Sequence, residues 1–276
     1  MPRLTVPRQG ASPPPAHGLS HAAERVRRFD RERFATALFA PPERREALMV
    51  LYAFNVAVAS VRERVREPLA GALRLQWWRD VLAAERPEEE VSAHPVAGPL
   101  AALVRSGAVP AHPLLRLLDG RERDLSGETF ADLDDLEAYA EATAATLTEA
   151  ALAALGATDE SSLEAGRRVG IACALVGLAR ALPHHLSIGR LAVPPPALSG
   201  TGQVRIAADR ARRLLDEAGR RPVARNAVPA LLPATYAAAH LRRLERAGWD
   251  VSAPHLGRYR PMPLRLAVNA LLGRFA

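Results

Sequence analysis

Two groups of residues in this chain have the types and spacing to do chemistry. The first centres on Arg180, near the end of a nearly uncharged apolar run, Ile171 to Leu182. A guanidinium in such a setting costs free energy unless an anion meets it. Arg180 therefore has either a buried carboxylate partner or a place on a cavity that takes an anion. Pro183 follows and should break or kink the helix. His184 and His185 come next, then Gly189, Arg190 and prolines at 194, 195 and 196. Adjacent histidines at a helix end point about 100° apart, so they read as a capping or hydrogen-bonded pair rather than two ligands of one metal ion. The second group is Arg62-Glu63-Arg64-Val65-Arg66-Glu67, which closes an apolar stretch running from Ala47 to Val61. On one continuous helix Arg62–Arg66 and Glu63–Glu67 would be like-charge i,i+4 pairs that repel. The cluster either emerges into water or lines the mouth of a pocket. Cys173 lies inside the apolar run and reads as a small buried hydrophobe, not a nucleophile.

The elements that must position these groups are helices. The chain has 276 residues, 49% of them hydrophobic and only 5% aromatic, with Ala and Leu dominating, a composition that favours helix over sheet and buries a sizeable core. All 37 basic residues are arginine, so a Schiff-base lysine and a phosphate-loop lysine are both excluded. The net charge of +7 implies an acidic partner such as an anionic lipid, a diphosphate or an acidic protein. No basic block is interleaved with aromatics, which argues against nucleic acid. A single cysteine permits no internal disulfide.

Residues 1–20 read as a disordered, Pro-rich leader, and 21–276 as one all-α domain without strands. Helices are expected from His21 to Leu38, from Pro41-Pro42 onward into the charged cluster, from Leu73 to Ala84, and from His94 to about Ser106. Further helices are expected over Leu114–Leu125, Thr129–Leu155 with a capping-box-like start, and Ser161–Leu182. After a loop at Leu198–Gln203 come Ile206–Gly219, an interrupted Ala224–Gly248, and Pro263–Phe275. Glu85–Val91 reads as a loop. His94 reads as structural, and Trp77 and Trp78 as core and cavity wall. The last segment, from Arg258, is basic and moderately amphipathic; it either lies on an anionic membrane or packs on the bundle.

Several motifs in order carry a resemblance: Tyr52-Ala53-Phe54, the octad from Leu73 to Asp80 (LRLQWWRD), His94-Pro95-Val96, the heptad from Leu118 to Asp124 (LDGRERD), and Gly189-Arg190 with Pro194. Over roughly residues 24–276 the chain resembles the squalene/phytoene synthase family. The resemblance implies the isoprenoid-synthase-type helical bundle around a central cavity. Enzymes of that family join two prenyl diphosphates, and magnesium held by two Asp-rich patches neutralises the leaving diphosphate. Counted from the motifs, the first patch falls here on Ala59, Ser60 and Glu63, and the second on Ala181, His184 and His185. Val56, Ala174 and Gly177 stand where Arg, Gln and Asn are usual. Only one carboxylate survives, so the mechanism of an active prenyl synthase is not supported.

The substitutions themselves resemble the family's non-catalytic branch, which includes a mitochondrial respiratory complex I assembly factor. The matching residues are Tyr52-Ala-Phe-Asn55 followed by Val61-Arg-Glu63, and the run from Leu178 to His184. That implies a pseudoenzyme acting in complex I assembly, or as a lipid- or isoprenoid-binding protein near the membrane. Its partners would be complex I subunits or assembly proteins, or a lipid or isoprenoid diphosphate. Its place would be cytoplasmic or peripheral on the inner membrane in a bacterium, or the mitochondrial inner-membrane side in a eukaryote. No cofactor is implied. Tyr52, Arg62, Arg66, Arg180 and Arg190 become the candidates for phosphate binding, or else the arginines pair internally with Glu63, Glu67 or Asp124. The alternative is a magnesium-dependent prenyl diphosphate transferase whose metal ligands are Glu63, Glu122 and Asp124. That alternative requires the three carboxylates to converge.

Overall fold

The computed structural model describes residues 18–65, 67–127, 129–187, 196–254 and 256–275. Arg66, Gly189, Arg190, Pro194 and residues 1–17 of the expected leader lie outside these. Among the described residues the chain is helical throughout and has no strand. The helices are α1 (His21–Phe29), α2 (Arg31–Ala37), α3 (Pro42–Ala59), α4 (Val61–Arg64), α5 (Pro68–Leu82), α6 (Glu88–Ala93), α7 (Ala97–Arg105), α8 (Ala111–Ser126), α9 (Leu133–Ala140), α10 (Thr146–Ala154), α11 (Glu160–Ser187), α12 (Gly200–Gly219), α13 (Val228–Leu231), α14 (Pro233–Arg246) and α15 (Pro263–Leu272). A single π-helical turn, Glu141–Ala145, joins α9 to α10.

The bundle is built around α11, which packs against α12, α10, α14, α9 and the π turn. Leu175, Val176, Ala179 and Leu182 are among its buried residues. It is the one helix among the described residues long and apolar enough to cross a membrane, and here it is the core helix of the bundle. Two glycines let neighbours approach the π turn. A methyl group at Gly170 of α11 would come within 2.6 Å of Ala145 Cα, and one at Gly120 of α8 within 2.9 Å of Thr143 Cγ2. The turn is therefore clamped from both sides at positions where only a hydrogen side chain fits.

Several expected boundaries are corrected. The segment 21–38 is two helices, because Asp30 leaves helical geometry and caps the second, its Oδ1 accepting from the Arg33 backbone N–H at 3.1 Å. The charged cluster is not one helix: α3 stops at Ala59, α4 is four residues long, and Val65 is extended. Glu63 and Glu67 are therefore not an i,i+4 pair on one helix, and the expected Arg62–Arg66 pair falls outside the described residues. The acidic loop at 85–91 contains α6, whose first turn takes Glu88, Glu89 and Glu90, where carboxylates suit the helix dipole. The next long helix starts at Leu133, capped by Asp132, not at Thr129. Pro183 does not end α11, which continues to Ser187 and carries both histidines. The loop at 198–203 turns helical at Gly200, because Val204, Ala207, Ala208 and Ala211 bury one face of α12 in the core.

Candidate functional site

The helices enclose a cavity of about 760 Å³ whose wall is rich in arginine: Arg28, Arg31, Arg33, Arg121 and Arg180, against the carboxylates Asp30 and Glu32. The break at Asp30 sets up one side. Asp30 Oδ2 accepts from Arg33 Nη1 at 2.7 Å, and the Arg33 guanidinium lies 5.8 Å from the centre of the Tyr52 ring. Burial opposes the charge on Arg33, but Asp30 outweighs it and raises the guanidinium pKa above its ordinary value. Tyr52 is almost fully buried, and burial raises its phenol pKa. It supports Arg33 from the core and does not line the cavity, so its expected role as a direct ligand contact is corrected.

Arg180 satisfies both halves of the alternative posed by the sequence. It faces the cavity, and its Nη1 donates to Glu32 Oε1. Glu32 Oε1 also lies 2.9 Å from His240 Nε2, and His240 Nδ1 lies against Arg243 Nη2. Arg180 Nη1 lies 2.6 Å from the same Nε2, so the ring is held between two guanidiniums and the Glu32 carboxylate. Burial lowers the His240 pKa, with Arg180 and Arg243 adding to the effect against the pull of Glu32, which favours the neutral ring. Burial alone would raise the Glu32 pKa; the hydrogen bond from His240 and the charge of Arg180 overcome it and hold the carboxyl at about 2. Glu32 and His240 are 208 residues apart, and no local pattern joins them. The available signal was a histidine four residues after Tyr236 on the buried face of α14.

The opposite wall is organised by Arg121. Its Nη1 donates to Tyr139 Oη at 2.7 Å and to Asp124 Oδ2 at 3.3 Å, and its Nη2 reaches Asn55 Oδ1 at 3.4 Å. Tyr139 in turn donates to Asp124 Oδ1 at 2.8 Å. The π turn supplies Thr143 and Ala144 to the same wall. Cys173 also faces the cavity, but burial pushes its thiol pKa up to about 12, which leaves no thiolate to act as a nucleophile.

Of the positions counted as degenerate Asp-rich patches, Ala181 and His184 line the cavity; Ala59, Ser60, Glu63 and His185 do not. Ser60 Oγ donates to the Val56 carbonyl at 2.8 Å and finishes α3. Arg62 also lies off the cavity; its Nη1 reaches the Val65 carbonyl at 3.5 Å. Glu122 lies 2.9 Å from Arg79, and Asp124 belongs to the Arg121–Tyr139 network. Among the described residues no three His, Cys, Asp or Glu side chains are grouped to hold a metal ion. Magnesium needs several oxygen ligands in near-octahedral order. The donors on this wall are guanidiniums, the imidazoles of His184 and His240, and two carboxylates already bound by arginine, so they do not fit that ion. What they fit is an anion, met by guanidinium forks without a metal.

Residues 26–203 match the sequence profile of the family described as squalene/phytoene synthase. The chain belongs to that family. Among curated relatives, complex I assembly factor 6 from Bos taurus is 28% identical over 92% of this chain and 82% of its own length. The factor from Rattus norvegicus is 31% identical over 70% of this chain, and that from Homo sapiens 32% over 67%. The aligned part spans 59% of the rat protein and 55% of the human one. Two solved structures share the fold. A dehydrosqualene synthase in complex with ligand superposes with a TM-score of 0.73 at 14% identity, covering 92% of this chain and 95% of the other. Squalene synthase HpnC from Alicyclobacillus acidocaldarius gives 0.66 at 22% identity, covering 83% and 94%. The squalene/phytoene synthase bundle and its central cavity are thus present, with arginine salt bridges on the cavity wall.

Proposed function

We propose that this chain is a non-catalytic squalene/phytoene synthase relative that acts in the assembly of respiratory complex I, peripherally at the membrane where that complex is built. The observation that carries the reading is kinship with complex I assembly factor 6 along almost the whole described chain. The cavity supports it: its arginines pair with Asp30 and Glu32, and among the described residues no group of three acids, histidines or cysteines could hold a metal. In this reading the cavity holds an anionic lipid or isoprenoid diphosphate by guanidinium contacts alone, and its partners are complex I subunits or other assembly proteins.

The membrane contact is assigned to α15. Leu264, Val268, Leu271 and Leu272 fall at i, i+4, i+7 and i+8, one stripe of the helix, and all four are exposed. The opposite edge is tied down: Leu266 and Phe275 are buried, and Asn269 donates to Thr235 at 2.9 Å. Beside the helix, burial and the charges of Arg265, Arg246 and Arg212 lower the Arg242 pKa. An outward apolar stripe beside crowded arginines suits an anionic bilayer.

Removing the protein from its cell should deplete assembled complex I, read as its band on a native gel, while other respiratory complexes remain. Unchanged complex I would overturn the assembly role. Titrating farnesyl diphosphate into the purified chain tests the cavity. Binding should be the same with magnesium and with a chelator, and no coupled product should form. A magnesium-dependent product would overturn the non-catalytic reading.

A further inference from the structure

A second concavity, of about 410 Å³, shares no lining residue with the central cavity. It is formed by α1, the end of α3, α4, α5 and the turn before α7. Its lining carries Arg25, Arg64 and Arg74, the imidazoles of His21 and His94, the rings of Trp77 and Trp78, and not one carboxylate. This is unusual for a protein in which arginines elsewhere find acids, as in Arg79–Asp119, Arg167–Glu141 and Arg210–Glu137. Among the described residues none of the three groove arginines has an ion pair. Arg25 Nε is shielded from solvent and meets no acceptor.

The groove shows the cost of this arrangement. Burial and the neighbouring charge of Arg64 lower the Arg25 pKa. Burial, then the charges of Arg25 and His21, lower that of His94. His94 is also fixed in orientation, because its Nδ1 accepts the backbone N–H groups of Val96 at 3.2 Å and Ala97 at 3.0 Å. In the neutral ring the remaining proton is then on Nε2, a donor. The Trp77 ring is held by the hydrogen bond from its Nε1 to Glu90 Oε1 at 2.8 Å and by its edge contact with Trp78. Converging donors, rigid walls and like charges without a counter-charge make a site that an anion would complete. Guanidinium forks match the oxygens of phosphate, and binding there would relieve the repulsion.

We propose that this groove is a phosphate-binding site distinct from the central cavity. It takes a phosphate group between Arg25, Arg64 and Arg74, with His94 as a further donor and Trp77 as its wall. The phosphate group is either free in solution or carried on a lipid headgroup.

The test uses the full chain with two probes: inorganic phosphate, followed by calorimetry and tryptophan fluorescence, and phosphatidylcholine vesicles containing phosphatidic acid, followed by co-sedimentation. Saturable binding is expected, with a change in tryptophan fluorescence that Trp77→Phe reduces. Arg25→Gln and Arg74→Gln should each weaken binding about tenfold, the effect of ~1.4 kcal/mol. Arg74 is exposed, so its variant separates lost binding from lost folding, and circular dichroism checks both. The vesicle arm is scored only by the drop these variants cause, which separates the groove from α15. Binding of inorganic phosphate identifies a soluble ligand; binding of vesicles alone identifies a headgroup; either supports the site. No binding to either probe, binding that persists in both variants, or binding lost only in Arg180→Gln overturns it.

Discussion

Glu32 accepts hydrogen bonds from His240 and Arg180 at once, and both favour its ionised form. Its carboxyl pKa lies near 2 in the folded chain against an ordinary 4.5. A depressed folded pKa contributes stability above the unfolded value and loses it as the pH falls toward the folded one. The contribution is therefore complete above about pH 4.5 and decays toward pH 2, and a shift of that size corresponds to on the order of 3 kcal/mol. Glu32→Gln should lower stability to denaturant near neutral pH and flatten its decline across that acid window. A variant that keeps the wild-type acid profile would show that Glu32 is not the group responsible. The same substitution leaves Arg180 and Arg243 facing each other across His240 without a counter-charge, so the cavity should bind anions more tightly as the protein becomes less stable.

The π turn and the two helices that clamp it form the next level. Its residues Thr143 and Ala144 reach the cavity because the extra residue per turn re-aims that stretch, and α8 and α11 approach it through Gly120 and Gly170. At Gly170 the obstruction is backbone, with Ala145 Cα at 2.6 Å and the Ala144 carbonyl at 2.8 Å, so no side-chain rotation can relieve it. Gly170→Ala should cost about 1–3 kcal/mol through overpacking, read as a lower midpoint in thermal unfolding. Gly177→Ala on the same helix, where nothing lies within 4 Å, should change stability little. Equal midpoints for the two variants would remove the clamp from the account. Pro183 belongs to this level too: a proline inside a helix loses one hydrogen bond and crowds the carbonyl four residues back, yet α11 passes through it because its neighbours hold it on several sides.

For the molecule as a whole, the distribution of charge and apolar surface decides where it sits. The exposed stripe on α15 is the largest departure from the inward-facing pattern of the other long helices; Leu264 is 82% exposed and Leu271 71%. Replacing both with Asp should abolish co-sedimentation with anionic vesicles while the far-ultraviolet circular dichroism is unchanged, because neither side chain packs in the core. Retained co-sedimentation would move the membrane contact to another face. High salt should weaken the wild-type association without eliminating it, since screening removes the arginine contribution and leaves the apolar one.

Helical class, the family and the loss of its acidic patches were legible in the chain because they rest on local matters: composition, helical periodicity and motifs of a few residues. Asn55, Tyr52 and Arg180 could be picked out in the same way, and Arg180 was marked by the apolar run around it. The partner of Arg180 could not be read, because Glu32 lies 148 residues away and His240 60 residues away, and only packing of α2 and α14 against α11 brings them together. Tyr52 entered the candidates through its motif, and a motif does not specify which neighbour a buried side chain meets. The charged cluster after α3 misled for a related reason. The i,i+4 spacing brings like charges side by side only on a continuous helix, and the break at Ser60 depends on how α3, α4 and α5 pack. What composition and periodicity determined was an all-helical bundle, and the motifs added a family resemblance with its acidic patches expected to be degenerate. What only the tertiary structure decided was which arginines were left with acids and which were left to line a groove without a carboxylate, since ion pairing depends on distances through space that the order of residues does not specify.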